Sequence, residues 1–320
     1  MPAPSSGCRW RRLGLSLVLY ALLAPLPGQV DSAFVETFTT QTRVNGGLRY
    51  RDNGARFSVA DQEQLELKNR GLALRIGGRY KWLGYTFSIP ISDLGTGSDT
   101  DEGSSLGANL QLFRRKVYLN ANVRRTKGFI DVPRDGPETF REDVRFVNVL
   151  LFGFRILNSN RFSIRSSFRM RERQLRSAGS FLVGGAIQRQ VLTADSLKVP
   201  LRASGPTPIN RFNQSKVGVG LGYAHTFVFG KLWFVTPLLI AGPELRFVAY
   251  DLVQGEREIE RMQLSARVRG RLAVGANGRR RFAALVASYL PNSDTNDSFD
   301  TRVDETLVEL VLGYRIGIGN

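Results

Sequence analysis

The sequence predicts an all-β protein: a transmembrane antiparallel up-and-down β-barrel of about 12 strands, within a range of roughly 10 to 14. Three observations predict it: an N-terminal export signal, a recurring alternation of apolar and basic side chains, and an alternation of short and long connections. The 320-residue chain is 42% hydrophobic and 23% charged, which is sufficient for a sizeable ordered structure.

Residues 1–32 have the organisation of a secretory signal peptide. Trp10-Arg11-Arg12 supplies the positive start, and the apolar stretch 13–26 is shorter than the roughly 20 residues that a membrane helix needs. Cleavage is expected within residues 28–33, which removes Cys8, the only cysteine, and lowers the net charge from +17 to about +14. We therefore expect residues 33–320 to form one disulfide-free barrel in the bacterial outer membrane.

Period-two alternation is clearest at residues 72–82, where Leu74 and Ile76 share an apolar face. Segments 161–171 and 262–274 repeat the pattern. An arginine facing lipid at the bilayer midplane costs about 2–4 kcal/mol, so the basic face must be the inner one. The arginines expected to line the lumen are Arg75, Arg79, Arg165, Arg169, Arg267, Arg269 and Arg271.

The connections between these segments alternate in length, as the two ends of an outer-membrane barrel do. Short turns are predicted at residues 81–83, 114–116, 158–160, 230–231 and 276–279, and long polar loops at 93–103, 126–143, 190–215, 251–258 and 291–304. The count of 12 treats residues 163–188 and 232–250 as one long strand each. Trp82 and Trp233 lie beside short turns, where a periplasmic aromatic girdle is expected.

Four short segments carry a family resemblance. RYKWLGYTFSI (79–89), Lys127-Gly128-Phe129, QLRSAGSFLVGG (174–185) and GVGLGYAHTF (218–227) occur in this order and cover most of the mature chain. With them the chain resembles the DUF4421 family of uncharacterised outer-membrane proteins, found mainly in Bacteroidetes. The resemblance implies a membrane barrel and supplies no activity.

No enzyme site is predicted. The only histidine, His225, shares its strand parity with Leu221 and Tyr223 on the lipid-facing side, and the carboxylates form no inward pair at a readable spacing. The acidic loop 294–305 has nearly the spacing of a calcium loop, but Phe299 replaces the glycine that the turn requires. We therefore expect no catalytic residues, no metal and no cofactor.

Three functions stay open. An arginine-lined lumen favours passive passage of small anionic solutes. A structural or binding barrel would instead contact lipopolysaccharide or a partner protein, and a soluble periplasmic lipocalin-like protein would hold an anionic ligand. The expected partners are outer-membrane lipid, lipopolysaccharide and the barrel assembly machinery. Nucleic acid is excluded, because the bases are spread by strand parity and export removes that partner.

Overall fold

A computed structural model shows a closed antiparallel β-barrel. It describes residues 30–38, 42–59, 63–80, 83–91, 104–133, 136–259, 262–291, 293–295 and 298–316. Nearly all of the predicted signal peptide lies outside these residues. In the part of the chain so described, no helix is both long and apolar enough to cross a bilayer.

The described elements follow each other along the chain as sixteen strands and one helical turn. They are β1 (Val35–Thr37), β2 (Thr42–Val59), β3 (Glu63–Tyr80), β4 (Leu83–Pro90), β5 (Ser104–Phe113), β6 (Val117–Asp131), β7 (Thr139–Ile156), α1 (Ile164–Ser167), β8 (Glu172–Gln174), β9 (Ala178–Leu201), β10 (Gly205–Phe229), β11 (Trp233–Leu252), β12 (Arg257–Ile259), β13 (Gln263–Asn277), β14 (Arg281–Leu290), β15 (Ser293–Thr295) and β16 (Asp300–Ile316).

Twelve of these strands form the barrel wall, which confirms the predicted number. Around the wall the order is β10-β9-β7-β6-β5-β4-β3-β2-β16-β14-β13-β11, and pairing of β11 with β10 closes the ring. Every pair in the wall is antiparallel. We call the end with the hairpins β5–β6, β10–β11 and β13–β14 the turn end, and the opposite end the loop end.

Side chains alternate between the two faces of the wall as predicted. Leu74 is 41% exposed and its neighbour Arg75 is 3% exposed. The outer face carries a continuous series of exposed large apolar residues on all twelve strands, among them Val44, Phe87, Leu110, Leu151, Phe181, Leu221, Leu239, Leu264, Leu285 and Leu312. Water does not tolerate an apolar belt of this extent, whereas hydrocarbon requires it. The soluble lipocalin-like alternative is therefore wrong.

Residues 157–177, which we call the inserted segment, do not belong to the wall. They were expected to begin a strand spanning 163–188, and that prediction is wrong for its first half, because β9 begins only at Ala178. The segment instead folds into the turn end of the lumen through α1, and β8 pairs with β1. Phe162 and Phe168 bury themselves among inward side chains such as Phe282. The segment therefore has apolar residues at the same spacing as a strand because its apolar side chains are buried inside the barrel.

The loop end is built from strand extensions. The predicted loops 126–143 and 190–215 are wrong: β6 and β7 reach Asp131 and Thr139, and β9 and β10 pair as far as Leu201 and Gly205. Beyond the short strands β4 and β5, β3 pairs directly with β6. This direct pairing narrows the barrel. Polar residues, glycines and prolines in these extensions concealed their strand character.

Candidate functional site: an arginine chamber

A polar cavity of about 70 Å³ lies in the middle of the lumen. We call it the arginine chamber. Its charged lining within the described residues consists of Arg49, Arg51, Arg169, Arg269, Arg271, Glu305 and Glu309, and its neutral polar lining includes Asn109, Gln111, Asn120, Asn122 and Asn148. All but Arg169 come from wall strands, at inward positions. Five guanidinium groups thus face two carboxylates.

Glu309 is the centre of the first ion cluster. Its Oε1 accepts hydrogen bonds from Arg49 and lies 3.4 Å from the Nε of Arg75. Arg75 also donates to the Oδ1 of Asn45 across 2.6 Å. Because Glu309 and Arg75 are both buried, the carboxylate compensates charges that could not otherwise remain away from water.

Glu305 is the centre of the second cluster. Arg124 donates to both of its carboxylate oxygens, with distances of 2.8 Å to Oε1 and 3.3 Å to Oε2. The Nε of Arg51 lies 3.7 Å from the same Oε1. The two carboxylates of the chamber thus contact four arginines in total.

Arg269 and Arg271 have no carboxylate within ion-pair distance among the described residues. Arg269 stacks over the ring of Phe152 at 4.3 Å, and Arg271 over the ring of Phe168 at 4.6 Å. Arg271 also donates from Nε to the hydroxyl of Ser288 across 3.0 Å. Aromatic faces hold the two cations in position but do not cancel their charge. The chamber is therefore electropositive.

Apolar side chains close the lumen on both sides of the chamber. At the turn end the seal combines Phe162, Ile164 and Phe168 of the inserted segment with wall residues such as Phe234 and Phe282. At the loop end the ring of Phe57 on β2 meets that of Phe212, which lies on the opposite side of the wall, at 5.2 Å. Phe299 packs against both rings and against Tyr250. Among the described residues, apolar layers thus flank the chamber on both sides.

A family model described as "Domain of unknown function (DUF4421)" matches residues 29–315. The chain belongs to this family. No curated protein sequence matches the DUF4421 chain. Among solved structures it is similar to the outer-membrane protease OmpT from Escherichia coli, with 9% identity, coverage of 88% of this chain and 98% of that chain, and a TM-score of 0.42. It is also similar to the translocator domain of the autotransporter NalP from Neisseria meningitidis, with 13% identity, 96% and 95% coverage, and a TM-score of 0.43.

Within this DUF4421 barrel the sequence-predicted arginines take three different places. Arg75 contacts Glu309 beside the chamber, and Arg269 and Arg271 line it. Arg169 also lines the chamber, but it comes from the inserted segment and not from the wall. Arg267 lies beside the chamber and pairs with Glu244 at 2.5 Å, a carboxylate that the buried Lys216 also approaches to 3.9 Å.

The remaining predicted positions do not contribute to the chamber. Arg165 was expected on an inward strand face; that is wrong, because it lies in α1 and pairs with Glu172 at 3.3 Å inside the turn end. The side chain of Arg79 and the whole of Trp82 lie outside the described residues. Trp233 is 62% exposed on the outer face beside the β10–β11 turn.

Sequence reasoning missed Arg49, Arg51 and Glu305. The signal was present, since Arg49 and Arg51 alternate with Leu48 and Tyr50 in the same way that Arg75 alternates with Leu74. Polar residues on both faces further along β2 obscured the pattern. His225 lies on the outer face, stacked on Phe227 at 4.4 Å with its Nδ1 3.1 Å from the Tyr223 hydroxyl.

Proposed function

We propose that this DUF4421 protein is an outer-membrane β-barrel whose arginine chamber binds small anions, and whose inserted segment keeps the lumen closed to free diffusion. The apolar outer belt and the predicted export signal support the location. The proposed role is binding and not catalysis, and it is supported by the one histidine, which faces outward, away from the chamber. Compared with the expected passive channel, this proposal adds a condition: anions can pass through the barrel only after an opening step.

The observation that carries the proposal is the charge excess of the chamber. Five arginines against two glutamates line a space enclosed by apolar layers, where charges are screened far less than in water. Such a site attracts anions and repels cations, as basic rings do in anion pores. Phe152 and Phe168 hold Arg269 and Arg271 in the chamber without removing their charge.

The size of the chamber limits its contents. A volume of about 70 Å³ accommodates several waters or one small inorganic anion, and it is too small for a solute passing in a hydrated file. A larger anion would need the inserted segment to leave the lumen. The closed form therefore binds a small anion. Passage of a larger anion requires a form in which the inserted segment has left the lumen.

Planar-bilayer recording of the full barrel tests the proposal. The wild type should show no steady conductance. A variant that opens both seals, with a short glycine-serine linker in place of residues 158–176 and F57A/F212A at the loop end, should conduct, with a reversal potential that favours chloride over potassium. The matched control adds R269Q and R271Q to that variant, and its anion preference should fall because the two uncompensated charges are gone.

Two results would overturn the proposal. Stable conductance by the wild type at low voltage would show an open pore. A linker variant that conducts without anion preference would show that the chamber charge does not select ions. Heat-modifiable migration of each detergent-solubilised variant verifies that the barrel is folded.

A further inference from the structure

We propose that the outer wall at the loop end of β6, β7, β9 and β10 binds the phosphate groups of lipopolysaccharide. This inference rests on the outer-membrane location in the proposed function and is independent of the chamber. Five basic side chains are exposed there on the outward face; we call them the lateral basic patch. They are Arg125, Lys127, Arg145, Arg189 and Arg211.

Strand register brings the patch together. Lys127 on β6 faces Arg145 on β7, Arg145 faces Thr193 on β9, and Thr193 faces Arg211 on β10. Directly paired side chains have Cβ atoms about 5 Å apart, and each further strand adds about 4.8 Å. Arg145 and Arg211 are therefore roughly 10 Å apart, with the small Thr193 between them.

The other two residues extend the patch toward the membrane. Arg125 is two positions below Lys127 on the same face of β6, and Arg189 is four positions below Thr193 on β9. Arg189 pairs with Ser215 on β10, so no bulky side chain covers it from that neighbour. The five cations thus occupy one continuous surface across four adjacent strands.

The patch begins where the apolar belt ends. Val123, Val147 and Ile187 are exposed on the outer face, each two positions from Arg125, Arg145 and Arg189 respectively. A molecule touching both surfaces must place hydrocarbon against the belt and negative charge against the patch. Lipid headgroup phosphates border the hydrocarbon core, and the border between the apolar belt and the patch is where they are expected.

The charge of the patch is not neutralised by the protein. Across the described ranges, no carboxylate lies within ion-pair distance of any of the five side chains. Glu142, Asp143 and Asp195 line one surface cavity with Lys127 and Arg145, but none of them forms an ion pair with either cation, and Asp143 is bound by Arg141 at 2.7 Å. An anion from outside the chain can therefore pair with the cations of the patch.

Basic residues on the opposite side of the same rim are arranged differently. Arg70 pairs with Asp52 at 3.2 Å, and Arg56 with Glu66 at 3.0 Å. Arg302 pairs with Asp304 at 2.6 Å. The contrast restricts anion binding to one side of the barrel.

Lipopolysaccharide matches this surface in chemistry. Its lipid A part carries phosphates on a sugar headgroup above several acyl chains, and it occupies the outer leaflet to which the loop end of an outer-membrane barrel is exposed. A free phosphate would engage the cations without using the apolar belt. A phospholipid would bring a single phosphate to a surface that offers five cations.

The test measures binding of purified lipid A to the detergent-solubilised full chain. The patch variant is R125Q/K127Q/R145Q, and the matched control is R56Q/R70Q/R302Q, which removes the same charge from the neutralised side. The patch variant should bind lipid A at least about tenfold more weakly than the wild type, and the control should bind within about twofold.

Two further probes identify the source of the phosphate. Dephosphorylated lipid A and phosphatidylglycerol should both bind the wild type more weakly than lipid A, and inorganic phosphate should not compete at millimolar concentration. Equal loss in both variants, or unchanged lipid A binding by the patch variant, would overturn the inference. Competition by inorganic phosphate or equal binding of phosphatidylglycerol would assign the patch to a different anion and overturn it too.

Discussion

The two apolar seals of this barrel are built from different parts of the chain. The turn-end seal comes largely from the inserted segment, which is held to the wall by discrete polar contacts: Arg315 donates to the Met170 carbonyl across 2.6 Å, and Asn277 donates to the carbonyls of Ser166 and Glu172 across 2.8 Å each. The loop-end seal comes largely from the wall itself, through Phe57 on β2 and Phe212 on β10.

The difference indicates which end can open. Withdrawing the inserted segment breaks side-chain contacts and leaves the strand pairing of the wall intact. Separating Phe57 from Phe212 moves opposite walls apart. We therefore expect any opening to begin at the turn end, and three changes test this asymmetry in order of expected effect.

The largest effect is expected from F57A. Phe57 is 1% exposed, and removing a buried phenylalanine side chain costs about 3–5 kcal/mol through lost burial and a new cavity. The midpoint of the heat-modifiable gel shift should fall markedly, while bilayer recordings stay silent because the turn-end seal is unchanged. L74A, on the lipid-facing surface, is the control for stability. Steady conductance in F57A would mean that the loop-end seal alone closes the barrel.

A smaller effect is expected from N277A. It leaves two buried carbonyls without their donor, at a cost of about 1–3 kcal/mol. The cost falls on the inserted segment, so we expect faster proteolysis within residues 157–177, with the gel-shift midpoint nearly unchanged and bilayer recordings silent because the loop-end seal is intact.

The control for N277A lies at the same end. R279A removes an exposed ion pair with Glu36 at 2.9 Å, which contributes little. It should leave proteolysis of the inserted segment at the wild-type rate. Equal effects of the two substitutions would mean that the Asn277 contacts do not hold the segment.

The smallest effect concerns pH at the loop end, outside the lipid belt. The hydrogen bond from Arg141 holds the pKa of the Asp143 carboxyl below its usual value. The carboxylate also accepts a hydrogen bond from the backbone NH of Asp195 at 3.0 Å, so it ties β7 to β9. Because the pKa is lower in the folded chain, this stabilisation is present above the unfolded value of about 3.9 and is lost as pH falls through the lowered pKa.

Hydrogen exchange checks this expectation. Protection of the amides at residues 194–198 should fall in the wild type as pH drops below about 4, after correction for the intrinsic exchange rate. In D143N the protection should be lower at neutral pH and should not change over that range. A pH-dependent fall of the same size in D143N would assign the titration to another group.

The sequence predicted the wall well and its interior less well. Parity placed Leu74 outside and Arg75 inside because a strand between two solvents must alternate. The same rule failed at residues 161–171, where Arg165 and Arg169 alternate with apolar residues but lie in the inserted segment. Alternation indicates only that every second side chain is in an apolar environment. A short segment packed inside the barrel meets this condition as well as a wall strand does.

What the sequence by itself determined is the membrane barrel, its strand number and its family, since these depend on local periodicity and on short motifs. The tertiary structure alone decided that apolar layers flank the chamber, that Glu305 and Glu309 pair with four of the arginines around it, and that the lateral basic patch forms no ion pair within the described chain. The physical reason is distance along the chain. Arg49 and Glu309, or Phe57 and Phe212, meet only once the barrel has closed, and no local pattern encodes which residues will face each other across it.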